Sequence, residues 1–158
     1  MQVDSESLDV PTLAQLAGQV LTSAVLRRLD GAGFGDLRTS HGFVFQHLVD
    51  GPRTIGELAG ALGVTPQAAS LAVVELEALG YVRREVDADD RRVRRVTLTD
   101  RGRAGIEAAR AARRELAGLL EERVGRETVE SARRALVAAI DLAGGTDDIR
   151  HRRVPPPR

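Results

Sequence analysis

Between Asp50 and Leu98 the glycines Gly51, Gly63 and Gly80 divide the chain into short pieces, and each piece carries its own start and stop signals. Asp50-Gly51-Pro52 ends whatever precedes it. Thr54 can then cap a short helix, because its hydroxyl accepts free amides of the first turn, and Glu57 three residues on completes a capping box. Ile55, Leu58, Ala59 and Leu62 form the buried side of that helix, and Gly63 stops it. Thr65 and Pro66 open the next helix as cap and first residue. On it Ala69, Ala72, Val73 and Leu76 lie on one face, with Gln67, Ser70, Leu71 and Val74 towards another. Gly80 closes it as a left-handed cap. Tyr81 to Val86 and Val93 to Leu98 alternate as two short strands around a polar tip, Asp87–Arg92. This predicts an antiparallel hairpin.

Two short helices joined by a tight glycine turn, with a hairpin directly after the second, make a winged helix–turn–helix. The Gly63-Val64 turn lets the second helix project from a compact support. Its start can then enter a DNA major groove of about 12 Å, just wide enough for one helix. The hairpin reaches along the backbone to a neighbouring minor groove, whose concentrated negative potential suits Arg. Every basic residue in the chain is Arg, and Arg91, Arg92, Arg94 and Arg95 fall within five residues at the hairpin. Such a cluster serves no core purpose. The plainer alternative is a solvated loop in which these arginines pair with Asp87, Asp89 and Asp90. Both readings can hold in part, one Asp orienting an Arg while another Arg faces phosphate.

The flanks read as helices. From Pro11 to Asp30, Leu13, Leu16, Val20 and Ala24 form one stripe and Leu21, Val25 and Leu29 a second beside it. A helix apolar over two adjacent faces needs two things to pack against, its own domain and a partner subunit. Residues 31–38, with three Gly, break that helix. A second helix fits Ser40 to Val49, with Val44, Phe45 and Leu48 inward. Thr99 caps a long helix through about Glu122, with Ile106, Ala109, Leu116, Leu119 and Leu120 as its stripe. Gly125 separates a last helix, where Val129, Ala132, Leu136 and Ile140 recur, and Gly144-Gly145 ends it. The fold class expected is mainly α with a small β-hairpin.

Composition narrows the function classes. Aromatics are 3% of the chain with no Trp, so the core is aliphatic. There is no Cys, which excludes disulfides, thiol catalysis and cysteine-ligated zinc. The histidines, His41, His47 and His151, form no dense ligand cluster, so neither a metal nor another cofactor is expected. No apolar run approaches the roughly 18 residues of a membrane span, and residues 1–20 lack the pattern of a signal peptide. The expected location is cytoplasmic, with no membrane partner. No nucleophile motif, glycine-rich phosphate loop or metal pair points to an enzyme. The net charge is zero, so any affinity for nucleic acid must come from how charge is distributed.

At motif level the chain resembles the MarR (multiple antibiotic resistance regulator) family. Glu57-Leu58-Ala59, Gly63-Val64-Thr65, Ser70, Leu76-Glu77, Gly80-Tyr81-Val82, Asp90-Arg91-Arg92 and Leu98-Thr99-Asp100-Arg101-Gly102 follow that pattern in order and spacing. The resemblance implies a homodimer formed through the first and last helices. It also implies a sequence-specific regulator of double-stranded DNA, commonly a repressor released by a small aromatic or phenolic effector. The domains expected are 10–37, an N-terminal dimerisation helix and loop; 38–99, the winged lobe; 100–145, the C-terminal dimerisation helices; and 146–158, a disordered tail.

The candidate DNA contacts are Arg53 and Thr54 at the start of the first short helix, Thr65, Gln67, Ser70 and Leu71 on the second, and Asp90, Arg91, Arg92 and Arg94 on the wing. Gln67 can pair with adenine and Leu71 can touch a thymine methyl. Many relatives carry Arg just after the recognition-helix Ser; here the residue is Leu71. No Arg or Lys lies between Thr65 and Gly80, so bidentate guanine reading from this helix is excluded. Arg38, His41, Phe43 and His47 lie where the family's effector pocket forms. The histidines can serve as effector contacts or a protonation switch, or simply as surface or interface hydrogen-bonding groups. The rival to a DNA-binding regulator is a winged-helix protein–protein module, favoured by zero net charge and the uncharged recognition helix and opposed by the Arg wing.

Overall fold

A computed structural model describes residues 7–87 and 89–150. Nine elements follow in order: α1 (Val10–Gly31), α2 (Thr39–Leu48), α3 (Ile55–Leu62), α4 (Pro66–Ala78), β1 (Val82–Val86), β2 (Arg94–Leu98), α5 (Asp100–Val124), α6 (Arg126–Leu142) and α7 (Thr146–Arg150). The result is mainly helical with one two-stranded antiparallel hairpin, in which Val82 faces Leu98 and Val86 faces Arg94.

The helix starts follow from local chemistry. Asp9 accepts the Thr12 amide at 2.9 Å, with Pro11 in the first turn of α1. Thr54 and Glu57 exchange bonds of 3.2 and 2.7 Å at the start of α3. Thr65 accepts the Ala68 amide at 3.2 Å to start α4. Thr99 accepts the Gly102 amide at 3.1 Å while its hydroxyl donates to the Gly80 carbonyl at 2.6 Å, so one side chain both caps α5 and ties it to the end of α4. Gly102 has a second reason to be glycine: a Cβ there would collide with the Tyr81 carbonyl oxygen.

One continuous core holds the winged lobe on α1 and α5. Leu58, Val73, Leu76, Tyr81, Val82 and Val96 are its most buried members, joined by Val25 and Leu29 of α1 and Ala112 of α5. Both stripes of α1 are divided along their length: Ala24, Val25 and Leu29 are buried towards its end, whereas Leu13, Leu16, Val20 and Leu21 face outwards, Val20 with 65% of its surface exposed. None of the residues of α6 is buried, and Leu136 and Val137 on it are exposed.

The expected tail at 146–158 needs correction over its first part. Thr146–Arg150 is helical, begun after the left-handed Gly144, with Asp147 and Asp148 in the first turn, where acids suit the helix dipole. Residues 151–158 lie outside those described, as do residues 1–6 of the expected loose N-terminus. Among the described residues no single helix is long and apolar enough to cross a membrane.

Candidate nucleic-acid interface

The axes of α3 and α4 turn through 109° at the Gly63 break, where Gly63 adopts φ 65°. That angle lies within the range of about 90–120° found in helix–turn–helix pairs. Ala69, Val73 and Leu76 anchor α4 in the core. Its outer side presents Thr65, Gln67, Leu71 and Val74 to solvent, with Ser70 half-buried. Leu71 is 65% exposed. The acids of α4 are turned to its flanks: Glu75 pairs with Arg38 at 3.0 Å and Glu77 with Arg84 at 3.5 Å. The outer face therefore carries neither positive nor negative charge.

The wing is organised by Asp87. Its Oδ1 accepts the amides of Asp89 and Asp90 at 2.9 and 3.0 Å, and its Oδ2 accepts the Arg95 guanidinium. The Arg95 bond first, and the two amides after it, push the Asp87 carboxyl down to a pKa of about 2. An Asp whose side chain closes a turn on the amides two and three residues on is a local signal that the spacing of Asp87, Asp89 and Asp90 carries. Asp87 is not among the candidate wing residues named from the sequence, where Asp90 is. Asp90 instead accepts the amide of Arg92 at 2.9 Å and its guanidinium at 3.2 and 3.3 Å. Those bonds hold the Asp90 carboxyl below its usual range.

The four clustered arginines thus have different fates. Arg95 is tied to Asp87, with Glu57 at 3.6 Å, and belongs to the base of the wing. Arg92 pairs with Asp90 yet its side chain is 91% exposed. Arg91 and Arg94 are exposed and have no ion pair among the described residues. Arg53 forms an isolated bridge to Val96, which extends the hairpin by one more backbone segment, and its side chain donates to the His47 carbonyl at 3.4 Å. Thr54 and Thr65 spend their hydroxyls on helix caps.

Behind the lobe, α1, α2 and α5 enclose an apolar cleft of about 720 Å³. Leu29, Phe45, Val49 and Ile106 are among its walls, and Arg38, Arg110 and Arg113 lie around it. Of the four candidate pocket residues the structure brings only Arg38 to this cleft; His41, Phe43 and His47 lie off its walls. His41 is 3% exposed, with Nδ1 accepting the Arg38 amide at 3.2 Å, and burial lowers its pKa. His47 lines a separate small recess with Arg53 and Glu57. Phe43 is half-buried on α2. The aromatic that does line the cleft is Phe45, whose ring also packs on Tyr81 at 5.8 Å. Among the described residues no group of three or more His, Cys, Asp or Glu could hold a metal ion.

A helix pair at this angle, an outward second helix and an arginine-tipped hairpin beside it define a winged helix–turn–helix lobe. Residues 36–93 match the family model described as MarR family. That match runs from just before α2 to the end of the wing tip, 58 of the 158 residues. No curated protein matches the sequence. Among solved structures, the fold is similar to that of YusO from Bacillus subtilis, with a TM-score of 0.69 at 22% identity over 89% of this chain and 99% of that one. It is similar to RV1404 from Mycobacterium tuberculosis, with a TM-score of 0.68 at 26% identity over 89% and 97% of the two chains. A mutant of S. aureus MepR bound to an oligodeoxyribonucleotide gives a TM-score of 0.61 at 22% identity over 87% and 99%. MepR bound to ethidium bromide gives 0.63 at 21% over 88% and 99%.

Proposed function

We propose that this protein is a homodimeric, sequence-specific repressor that grips DNA with α4 and the wing and is controlled by a small molecule in the cleft behind them. The observation that carries the DNA reading is the wing: Arg91, Arg92 and Arg94 stand exposed on a hairpin whose turn Asp87 closes. Base contacts then come from Gln67 and Leu71, with Ser70 and the α3 start at Arg53 and Thr54 on phosphate. The N-terminus of α4 adds amides that suit a phosphate. Dimerisation through α1, α5 and α6 covers the outward stripes and sets two recognition helices about 34 Å apart, one turn of DNA. On this reading 10–37 and 100–145 serve the dimer and 38–99 the DNA. The MepR complexes, one with an oligodeoxyribonucleotide and one with ethidium bromide, support both halves of the proposal by analogy of fold.

The test is a selection of bound duplexes from a random pool, followed by affinity measurements across a salt series. A single enriched motif with two half-sites one turn apart is the expected result. A second reading, a winged-helix module that binds protein, has its own observation in the uncharged outer face of α4, where Leu71 and Val74 are 65% and 48% exposed. It prevails if no duplex is retained even at low salt, where counterion release favours any basic surface.

A further inference from the structure

Gln67, Leu71, Val74 and Ala78 stand on α4 at the i, i+4, i+7 and i+11 spacing of a single helical stripe, and all four are exposed. Leu71 and Val74 belong neither to the core nor to the apolar shell packed against it. No arginine or lysine lies on this helix, and its two carboxylates are turned aside onto Arg38 and Arg84. The Thr65 hydroxyl is committed to the Ala68 amide, and Ser70 is half-buried. Past Gln67 the stripe is aliphatic, with no side-chain hydrogen-bonding group on it.

The floor of a DNA major groove offers donors and acceptors at every base pair, and one apolar group, the C5 methyl of thymine. Guanine O6 and N7 are matched by a bidentate Arg or Lys, which this helix lacks. An aliphatic side chain laid over guanine N7 or the cytosine amino group takes water from it and returns no hydrogen bond, which is unfavourable. Laid over a methyl, it removes apolar surface of both partners from water, which is favourable. Cytosine methylated at C5 presents the same methyl on the same ring carbon as thymine. We propose that Leu71 and Val74 make this protein a reader of pyrimidine C5 methyl groups. At the bases they cover it takes thymine or 5-methylcytosine and discriminates against unmodified cytosine. Cytosine methylation then turns a poorly held C·G pair into a well-held one, so the same surface answers to the methylation state of the DNA. The inference rests on the DNA reading given above and adds to it the chemical group that is read. Because the methyl lies in the major groove, wing arginines in the minor groove do not meet it.

The test uses the full chain and a duplex selected as above, with each thymine in turn replaced by deoxyuridine, which deletes the methyl and leaves base pairing intact. Fluorescence anisotropy measures affinities for the wild type, Leu71→Ala, Val74→Ala and Arg92→Ala. One or two thymines per half-site are expected at which deoxyuridine weakens the wild type by about fourfold, the factor for burying one apolar carbon. At those positions a C·G pair should bind weakly, and its 5-methylcytosine form about fourfold more tightly. Leu71→Ala and Val74→Ala should each bind thymine and deoxyuridine duplexes alike at the position that residue covers. Arg92→Ala should weaken every duplex and keep the ratio. Both aliphatics are exposed, so truncation leaves the fold intact, which circular dichroism checks. The inference is overturned if deoxyuridine is without effect at every position, if 5-methylcytosine binds no better than cytosine, or if both alanine variants keep the wild-type ratio. If the wild type retains no duplex at low salt, the DNA reading itself has failed and this inference goes with it.

Discussion

The guanidinium of Arg92 folds back onto the carboxylate of Asp90, two residues before it, while its side chain remains 91% exposed. The pair is an exposed one, so it constrains Arg92 little. A phosphate can take over a donor from Asp90 without unfolding the tip, because the tip depends on Asp87.

Arg92→Ala should therefore cost about 1–3 kcal/mol of DNA binding and reduce the salt slope by about one unit, as for one lost phosphate contact. Arg114→Ala is the control: it lies on α5, about 21 Å along the axis from the start of that helix. Affinity across a salt series separates them. Equal losses for the two variants, or none for Arg92→Ala, would show that the wing does not reach DNA.

Assembly follows from the outward stripes. Leu16 and Val20 of α1 and Leu136 of α6 are 44%, 65% and 46% exposed in the isolated chain. Light scattering at micromolar concentration should report a dimer. Leu136→Glu should shift it to monomer, because an unpaired charge would be buried in the contact. A monomeric wild type sinks the dimer and with it the half-site spacing.

The Tyr81 hydroxyl, which donates to Asp36 and accepts from Arg101 at 3.1 Å, gives a pH signature. Burial first, and the Asp36 bond second, push its pKa up to about 12 from the ordinary 10. A raised pKa means that the stabilisation is complete below the unfolded value of 10 and is lost as pH rises through the folded value. Tyr81 is the sole Tyr of the chain and there is no Trp, so tyrosinate absorbance reports this residue alone. It should titrate near pH 12 and together with loss of helical circular dichroism. Ionisation near the ordinary value with the fold intact would contradict the network.

Two glycine substitutions should have opposite signs. Gly102→Ala forces a Cβ against the Tyr81 backbone, which cannot retreat without opening the junction of β1 and α5. A loss of about 3 kcal/mol, the upper part of the range for overpacking, is expected. Gly60 lies exposed within α3 with nothing within 4 Å of an added Cβ. Gly60→Ala should gain roughly 0.5–1 kcal/mol from helix propensity alone. Denaturant midpoints measure both, and a neutral Gly102→Ala would mean that the close approach is dispensable.

Most of the fold was legible in the sequence because its signals act over three or four residues. Thr54 with Glu57, Thr65 with Pro66, Thr99, and the glycines Gly63 and Gly80 define where helices start and stop by hydrogen bonds made within one turn, and strand alternation marks the hairpin. The same locality would have revealed Asp87, whose partners are the amides of Asp89 and Asp90.

What only tertiary structure decided are the relationships between elements. Which part of α1 is buried depends on where α5 and the winged lobe lie, and periodicity runs through the exposed and the buried parts alike. Asp36, Tyr81 and Arg101 meet across separations of 45 and 65 residues, with the Arg101 guanidinium 4.7 Å from the Tyr81 ring centre. Arg38 was legible as a pocket candidate, yet its partner Glu75 was not, and neither was the buried Nε2 of His41 that faces the same oxygen from 3.6 Å. Their spacing along the chain carries no pairing preference of its own. Packing of α2 against α4 brings them together, and the desolvation of His41 in that packing is what leaves its second nitrogen waiting for an acceptor.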